Sequence, residues 1–403
     1  MSKRVFKPAE RTKRITYAIR EVIKIARDVE KEAKEPVIYL NIGDPVKFDF
    51  DVPNHIKEAL CQAVQEKYNF YAPSIGLDEL REAIVLREAR DNNVKISPED
   101  VLVTNGTAEA ILAILAAAFC PGDEILVPSP TYPPYISSAE FYDVKPVEYR
   151  TIEEEGWIPD IDDIRRKITQ KTKAIIIINP NNPTGALYSN KIVKEVIDIA
   201  GENDLFIISD EIYDKLVFEG TKAPNAAAIA NDVPTIVLYG LSKVYLATGW
   251  RLGYMYKWDP EDRLSLIWQA ITRYLMVRIS GFTPAQKAAV AALLGPDDHI
   301  KEMIEKLRER RDLAYRRLNK IDGISAQLPK GAFYIFPKIN IPRYKGKDKE
   351  FVVDLVRDQK VLVVHGSGFG TYGQDHFRIV FLPPVDILNE ALDRIEKFVK
   401  KVL

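Results

Sequence analysis

The segment YGLSKVYLATGWRLG, at positions 239–253, is the part of the sequence around which the fold is organised. The run that leads into it, Thr235–Tyr239, is apolar and β-branched, as expected of a strand buried on both faces. Lys243 therefore follows the carboxyl end of a strand, where crevices form in open α/β sheets. A lysine in a partly apolar crevice loses hydration, so its pKa falls and its neutral amine can form a Schiff base with a carbonyl. Arg251 follows with a guanidinium suited to phosphate.

Composition indicates a large intracellular protein. The chain has 403 residues, 46% hydrophobic and 29% charged, which is enough for the cores of two domains. Its net charge of −1 gives no general attraction for nucleic acid. The N-terminus lacks the apolar core of a signal peptide, and no apolar run is long enough for a membrane span. Two cysteines and four histidines show no disulfide or metal-ligand spacing. We expect a cytoplasmic enzyme that acts on small molecules without a metal.

Short apolar runs, mostly separated by helical segments, predict the fold class. They lie at 101–103, 124–127, 174–178, 205–208 and 236–238. This series predicts an α/β fold with a mostly parallel central sheet covered by helices. From residue 296 a long charged helix, short strands and a final helix predict a smaller α+β domain. We expect residues 53–290 to form the large domain, and residues 1–52 and 291–403 to form the small one.

Polar residues gather where the predicted strands end. Gly106, Thr107 and Ala108 open an apolar helix, so their free N–H groups are suited to phosphate, although the loop is neither a Walker nor a Rossmann motif. Three further strand ends carry Tyr132, Asn182 and the pair Asp210 and Tyr213. A tyrosine in a Pro/Tyr loop is often only a packing residue, and an acid at a strand end is often a helix cap.

Both ends of the chain contribute further candidates. Residues 11–35 alternate at helical spacing and predict an amphipathic helix, which packs on its own chain or on a partner subunit. Its apolar face carries Ile15, Ile19, Val22, Ile23 and Ala26. Gly43, in a Gly/Pro turn, lets backbone approach a substrate or is simply a turn residue. Arg378 lies within an apolar strand and needs an anionic partner, which is either a substrate or a structural carboxylate.

Together these motifs resemble the class I and II aminotransferases, the fold type I enzymes that use pyridoxal 5′-phosphate. The markers are Asn182–Gly185, Ser209–Tyr213 and Ser242–Lys243 through Gly249–Gly253, in the family's order and spacing. The resemblance covers nearly the whole chain. It implies substrates that are amino acids and 2-oxo acids, and a homodimer with shared active sites.

The resemblance also implies a role for each candidate residue. Lys243 would bind the cofactor covalently and move the substrate proton, Asp210 would pair with the pyridine nitrogen, and Arg378 would hold the substrate α-carboxylate. Tyr132 would stack on the ring. Tyr213 and Asn182 would contact the phenolic oxygen, and Asn182 and Gly43 would also lie against the substrate. The expected phosphate ligands are Gly106, Thr107, Ala108, Ser242, Arg251 and, from the neighbouring subunit, Tyr71.

Many family members have a serine three residues before the lysine, where this chain has Gly240, so the phosphate site is expected to have one hydroxyl fewer. The motifs around Gly43, Gly331 and Arg378 look most like those of alanine aminotransferases. The leading hypothesis is therefore amino transfer between L-alanine and 2-oxoglutarate. Alternatives on the same scaffold are an aromatic or aspartate aminotransferase or a carbon–sulfur lyase. A regulator's effector domain is a further alternative, but we expect the ~35 residues before the first strand to be too few for a DNA-binding domain.

Overall fold

A computed structural model describes residues 5–220 and 222–403. The helices are α1 Ala18–Ala33, α2 Asn54–Gln65, α3 Asp78–Asn92, α4 Thr107–Ala118, α5 Pro134–Phe141, α6 Ile161–Lys167, α7 Asn190–Glu202, α8 Ala226–Ile229, α9 Ser265–Met276, α10 Thr283–Leu294, α11 Asp298–Leu318, α12 Asp348–Gln359 and α13 Val385–Val402. The strands are β1 Ile38–Tyr39, β2 Val101–Thr104, β3 Glu124–Ser129, β4 Lys145–Ile152, β5 Ile158–Pro159, β6 Thr172–Ile178, β7 Phe206–Asp210, β8 Thr235–Gly240, β9 Gly253–Trp258, β10 Ile324–Ser325, β11 Tyr334–Ile335, β12 Lys338–Ile339, β13 Val361–Leu362, β14 Val364–His365 and β15 Phe377–Val380. Within the described ranges, no helix is long and apolar enough to cross a membrane.

An eight-stranded sheet forms the centre of the molecule, in the order β2-β9-β8-β7-β6-β3-β4-β5. Strands β8, β7, β6, β3 and β4 run parallel, whereas β9 is antiparallel to both of its neighbours and β5 is antiparallel to β4. The run Ile175–Ile178 is at most 1% exposed, because helices cover both faces of the sheet. The predicted α/β fold with a mostly parallel sheet is confirmed.

Smaller sheets join the two ends of the chain. Strand β1 pairs in parallel with β13, and β15 lies between β11 and β14 with antiparallel pairing to both. This places Gly43, a few residues after β1, and Arg378, within β15, on the same side of the molecule. The pairing supports the grouping of the N-terminal segment with the C-terminal part. The boundaries 1–52, 53–290 and 291–403 stay a prediction.

The first helix is shorter than the sequence pattern indicates. Only a short 3-10 helix, Glu10–Arg14, precedes α1, which begins at Ala18. The backbone is extended at Ile15, and this side chain is 52% exposed, so the prediction that Ile15 lies on the apolar face of the helix is wrong. Ile19, Val22 and Ala26, on the predicted apolar face, are buried. Because the chain is extended before α1 begins, Tyr17 lines a cavity instead of lying on a helix surface.

Candidate active site

A cavity of about 480 Å³ lies at the carboxyl ends of the central parallel strands. Strand β6 contributes Ile178, β7 contributes Asp210, and Lys243 follows β8. Gly43 after β1 and Arg378 on β15 line the same cavity. Polar groups far apart in sequence are therefore brought together at the end of the sheet where crevices form in this fold class.

Lys243 is the central basic group of the cavity. Its Nζ donates a hydrogen bond to the Gly43 carbonyl oxygen at 2.6 Å and lies 5.6 Å from the ring centroid of Phe333. Burial lowers the pKa of Lys243 to about 8, with Asp44 opposing the shift and Arg378 adding to it. At neutral pH about a tenth of this amine is therefore uncharged, and the uncharged form is the one that a nucleophile or general base requires.

Asp210 is the last residue of β7, and its side chain is buried. One carboxylate oxygen accepts a hydrogen bond from the Tyr135 hydroxyl at 2.8 Å, and the other accepts the Ile212 N–H at 3.2 Å. Burial raises the pKa of Asp210 to about 6, whereas these two hydrogen bonds and the charge of Lys243 lower it. Among the described residues the next helix after Asp210 begins at Ala226, so Asp210 does not cap it.

Arg378 is a buried cation without a carboxylate partner. It is 1% exposed, and its guanidinium donates to the Asn182 Oδ1 at 2.8 Å and to the Asn41 carbonyl oxygen. It also lies over the Tyr334 ring, 4.6 Å from the centroid. Within residues 5–220 and 222–403, no acidic side chain forms an ion pair with it, so the structural salt bridge that the sequence left open is not found. Burial lowers the pKa of Arg378, which indicates a site prepared for an anion.

A second anion site lies at the start of α4. No side chain caps this helix, and Thr107 and Ala108 line the cavity with their N–H groups in the first turn. Gly106 has φ +79°, and a Cβ there would come 2.8 Å from the guanidinium of Arg251, so only glycine leaves the space open. In the part of the chain that the structure describes, the acceptors of Arg251 are the backbone carbonyls of Thr248 and Asn105. These groups fit a phosphate.

Glycine instead of serine at position 240 has a steric reason. This residue pairs with Gly253 on β9, and a Cβ would come 3.1 Å from the Leu252 carbonyl oxygen. A serine would be crowded there. Ser242 remains in the cavity lining as a hydroxyl for the same region.

The structure brings most of the predicted site residues together. The cavity is lined by Gly43, Thr107, Ala108, Tyr132, Asn182, Asp210, Tyr213, Ser242, Lys243, Arg251 and Arg378. Gly106 lies directly behind this lining. Tyr71 is 80% exposed and is not part of its own chain's cavity.

The sequence pattern missed several cavity residues. Tyr17, Arg20 and Tyr334 all line it. The Tyr17 and Tyr132 hydroxyls lie 3.2 Å apart, and the Tyr334 hydroxyl lies 2.8 Å from that of Tyr213. Neither α1 nor β11 carries a motif that distinguishes these residues from ordinary packing residues, so no local signal would have found them.

Comparison with known proteins agrees with this geometry. Residues 35–395 match the family model described as aminotransferase class I and II. The chain is 38% identical over 400 residues to the glutamate-pyruvate aminotransferase AlaA of Haemophilus influenzae, covering 98% of each chain. It is 36% identical over 390 residues to aromatic-amino-acid aminotransferase 2 of Thermococcus litoralis, covering 95% of each. A solved alanine aminotransferase from Pyrococcus furiosus superposes with a TM-score of 0.96 at 57% identity, covering 98% of this chain and 100% of the other.

The cavity holds a lysine with a lowered pKa, a buried acid, and two arginines that lack a carboxylate partner among the described residues. On this fold these groups define a pyridoxal-phosphate-dependent enzyme of amino and 2-oxo acids. The chain belongs to the class I and II aminotransferases. The donor set described above fits the cofactor: an acid for the ring nitrogen, an amine for the aldehyde, and a helix N-terminus with an arginine for the phosphate.

The raised pKa of Asp210 predicts how stability depends on pH. A carboxyl with a pKa raised from 3.8 to about 6 stabilises the fold fully below the lower value, and this contribution is lost as pH rises through the higher one. We expect cofactor-free Asp210→Asn to match wild type near about pH 4 and to be more stable by roughly 2–3 kcal/mol near about pH 8. Urea unfolding at both pH values measures the difference. The exposed Asp204→Asn is the control, and a destabilised Asp210→Asn at the higher pH would contradict the argument.

Proposed function

We propose that the protein transfers the amino group between L-alanine and 2-oxoglutarate, giving pyruvate and L-glutamate. The observation that carries the proposal is Arg378, a buried cation without a carboxylate partner in the cavity of Lys243. It is suited to the α-carboxylate that every amino-acid and 2-oxo-acid substrate has. The names of the relatives in Haemophilus influenzae and Pyrococcus furiosus support alanine in particular.

In this proposal the cavity residues divide the chemistry between them. When bound, pyridoxal phosphate withdraws electrons from the α-carbon of the substrate through its protonated ring. Asp210 holds the proton on the ring nitrogen, because its carboxylate is enclosed and supplies a full negative charge. Lys243 carries the proton between the substrate α-carbon and C4′ of the cofactor. Tyr213 and Asn182 donate hydrogen bonds to the phenolic oxygen, and Tyr132 packs on the ring.

Residues from both predicted domains would orient the substrate and the cofactor. Arg378 would present its guanidinium to the substrate carboxylate. The same guanidinium donates a hydrogen bond to the Oδ1 of Asn182, which fixes its position. Gly43 supplies backbone beside the substrate and an acceptor for Lys243. The residues that would hold the phosphate are Gly106, Thr107, Ala108, Ser242 and Arg251.

We propose that the substrate side chain would lie against a tyrosine wall, which would favour a small group. Tyr17, Ile19 and Tyr132 line the cavity, and the hydroxyls of the two tyrosines lie 3.2 Å apart. Arg20 also lines the cavity, and no carboxylate of the described residues lies within ion-pair distance of it. We propose that it serves the second carboxylate of glutamate and 2-oxoglutarate, so that one site accepts both a small neutral and a longer acidic substrate.

We propose that the working unit is a homodimer whose sites are shared. Tyr71 is 80% exposed, and Phe70 in its own segment and Val277, Ile279 and Phe282 in a second segment are also exposed. The two segments adjoin, since the Ser74 hydroxyl donates to the Ile279 carbonyl oxygen at 2.6 Å and the Thr283 hydroxyl donates to the Phe70 carbonyl oxygen at 2.7 Å. Exposed apolar side chains on adjoining segments are typical of an interface. Through it, Tyr71 would reach the phosphate of the neighbouring subunit.

A cytoplasmic location is part of the proposal. Both cysteines, Cys61 and Cys120, are exposed and free, which suits a reducing compartment. The substrates are also ordinary metabolites of amino-acid metabolism.

A panel of amino donors with 2-oxoglutarate tests the proposed substrates. We expect kcat/KM for L-alanine to exceed that for L-tyrosine and L-aspartate by about 10- to 100-fold, because the tyrosine wall leaves room for a methyl group. Formation of each 2-oxo acid is the measurement. A higher kcat/KM for L-tyrosine would indicate an aromatic aminotransferase, and release of ammonia and sulfide from L-cysteine would indicate a carbon–sulfur lyase.

Mixing two impaired variants tests the shared site. In a hybrid of Tyr71→Phe and Lys243→Ala chains, one site combines an intact Lys243 with the partner's intact Tyr71. With random reassortment the hybrids would contribute about a quarter of the wild-type turnover, in addition to what the Tyr71→Phe homodimers retain, since half of the dimers are hybrid and each has one native site. An activity equal to the mean of the two separate homodimers would show that Tyr71 does not act across subunits.

A further inference from the structure

Asp210 has one side-chain hydrogen-bond donor, and this donor comes from outside the cavity. The Tyr135 hydroxyl donates to Asp210 at 2.8 Å, but Tyr135 is 2% exposed and is not among the residues that line the cavity. It therefore touches neither substrate nor cofactor. Its hydroxyl bonds to Oδ2 of Asp210, whereas Oδ1 accepts the Ile212 N–H.

The position of Tyr135 is fixed by the start of α5. Pro133 and Pro134 lead into the helix, and the Tyr135 N–H bonds to the Tyr132 carbonyl oxygen at 3.1 Å. The rings of Tyr132 and Tyr135 meet edge to face, with centroids 6.3 Å apart. One loop thus carries Tyr132, which lines the cavity, and Tyr135, which is outside the lining and hydrogen-bonds to Asp210.

We infer that Tyr135 is a positioning residue for Asp210: its hydroxyl fixes the direction of the carboxylate and keeps it ionised, so that the proton stays on the ring nitrogen. The inference rests on the role proposed above for Asp210. It adds a residue that acts on the reaction without contact with any reacting group.

The chemistry of the pair supports this assignment. Burial raises the pKa of Tyr135 well above its usual value, and the charge of Asp210 raises it further, so the phenol remains a donor at all physiological pH values. Burial also raises the pKa of Asp210 to about 6, and the Tyr135 hydrogen bond opposes that shift. Tyr132, Tyr213, Tyr334 and Lys243 are the other titratable groups that interact with Asp210, and among them only Lys243 carries a charge near neutral pH.

Tyr149 offers a matched control. It is also fully buried, and its hydroxyl donates to a backbone carbonyl, that of Ile176, at 2.7 Å. Tyr135→Phe and Tyr149→Phe each remove one buried hydroxyl and one hydrogen bond, so their thermal stabilities should fall by similar amounts. Only Tyr135→Phe removes a donor from Asp210.

The experiment measures how firmly the holoenzyme retains pyridoxal phosphate, by equilibrium dialysis and by the pH dependence of the bound cofactor's absorbance. We expect the dissociation constant of Tyr135→Phe to rise about tenfold near neutral pH, the typical effect of losing a hydrogen bond to a charged group. On acidification, Tyr135→Phe should lose the cofactor at a higher pH than wild type, because the lost hydrogen bond no longer lowers the pKa of Asp210. Tyr149→Phe should match wild type in both measurements.

Asp210→Asn completes the test. If Tyr135 acts through Asp210, the double variant Tyr135→Phe/Asp210→Asn should retain cofactor no worse than Asp210→Asn alone. Additive losses, or a Tyr135→Phe that behaves like Tyr149→Phe, would overturn the inference while leaving the role of Asp210 intact. If Asp210→Asn itself retained cofactor and absorbance like wild type, the proposed role of Asp210 would fail, and the inference with it.

Discussion

The hydrogen bond from the Lys243 amine to the Gly43 carbonyl oxygen is the contact on which the site depends. It joins a residue that follows the central sheet to one that follows β1, 200 positions earlier in the chain. It also satisfies an amine that has been removed from water, which would otherwise be costly. The cavity therefore exists only where the N-terminal segment closes over the end of the sheet, and the same closure lowers the pKa of Lys243 to about 8.

A second buried network of charged and polar side chains lies near the cavity, and its charges are paired. Arg87 on α3 forms ion pairs with Glu88 and Asp214 and lies 4.1 Å from the ring centroid of Tyr239. Tyr239 in turn donates to Asp214 at 3.0 Å. Asp214 lies four residues after Asp210, and Tyr239 four before Lys243, so the network holds both chain segments that carry the central acid and base. A buried cluster is tolerated because each charge has a partner, whereas Arg378 lacks one and is suited to a substrate.

The sequence predicts the parts of the site that follow a strand. Asn182, Asp210 and Lys243 could be assigned because apolar runs end just before them and because parallel strands end at the same edge of a sheet. Tyr17 and Tyr334 could not, since each owes its place in the cavity to contacts with residues more than 100 positions away. For Tyr135 the reason is similar: its acceptor is 75 positions away, and a tyrosine in a Pro/Tyr loop is usually a packing residue. The predicted start of the first helix failed because amphipathic spacing continues through the extended backbone around Ile15.

The central claim is that Lys243 is the amine that bonds to the cofactor aldehyde. Borohydride reduction makes that bond permanent, and peptide mapping by mass spectrometry then locates the label. We expect the pyridoxyl group on Lys243, with no labelled peptide in Lys243→Ala. A label on another lysine, or equal labelling of Lys243→Ala, would contradict the account.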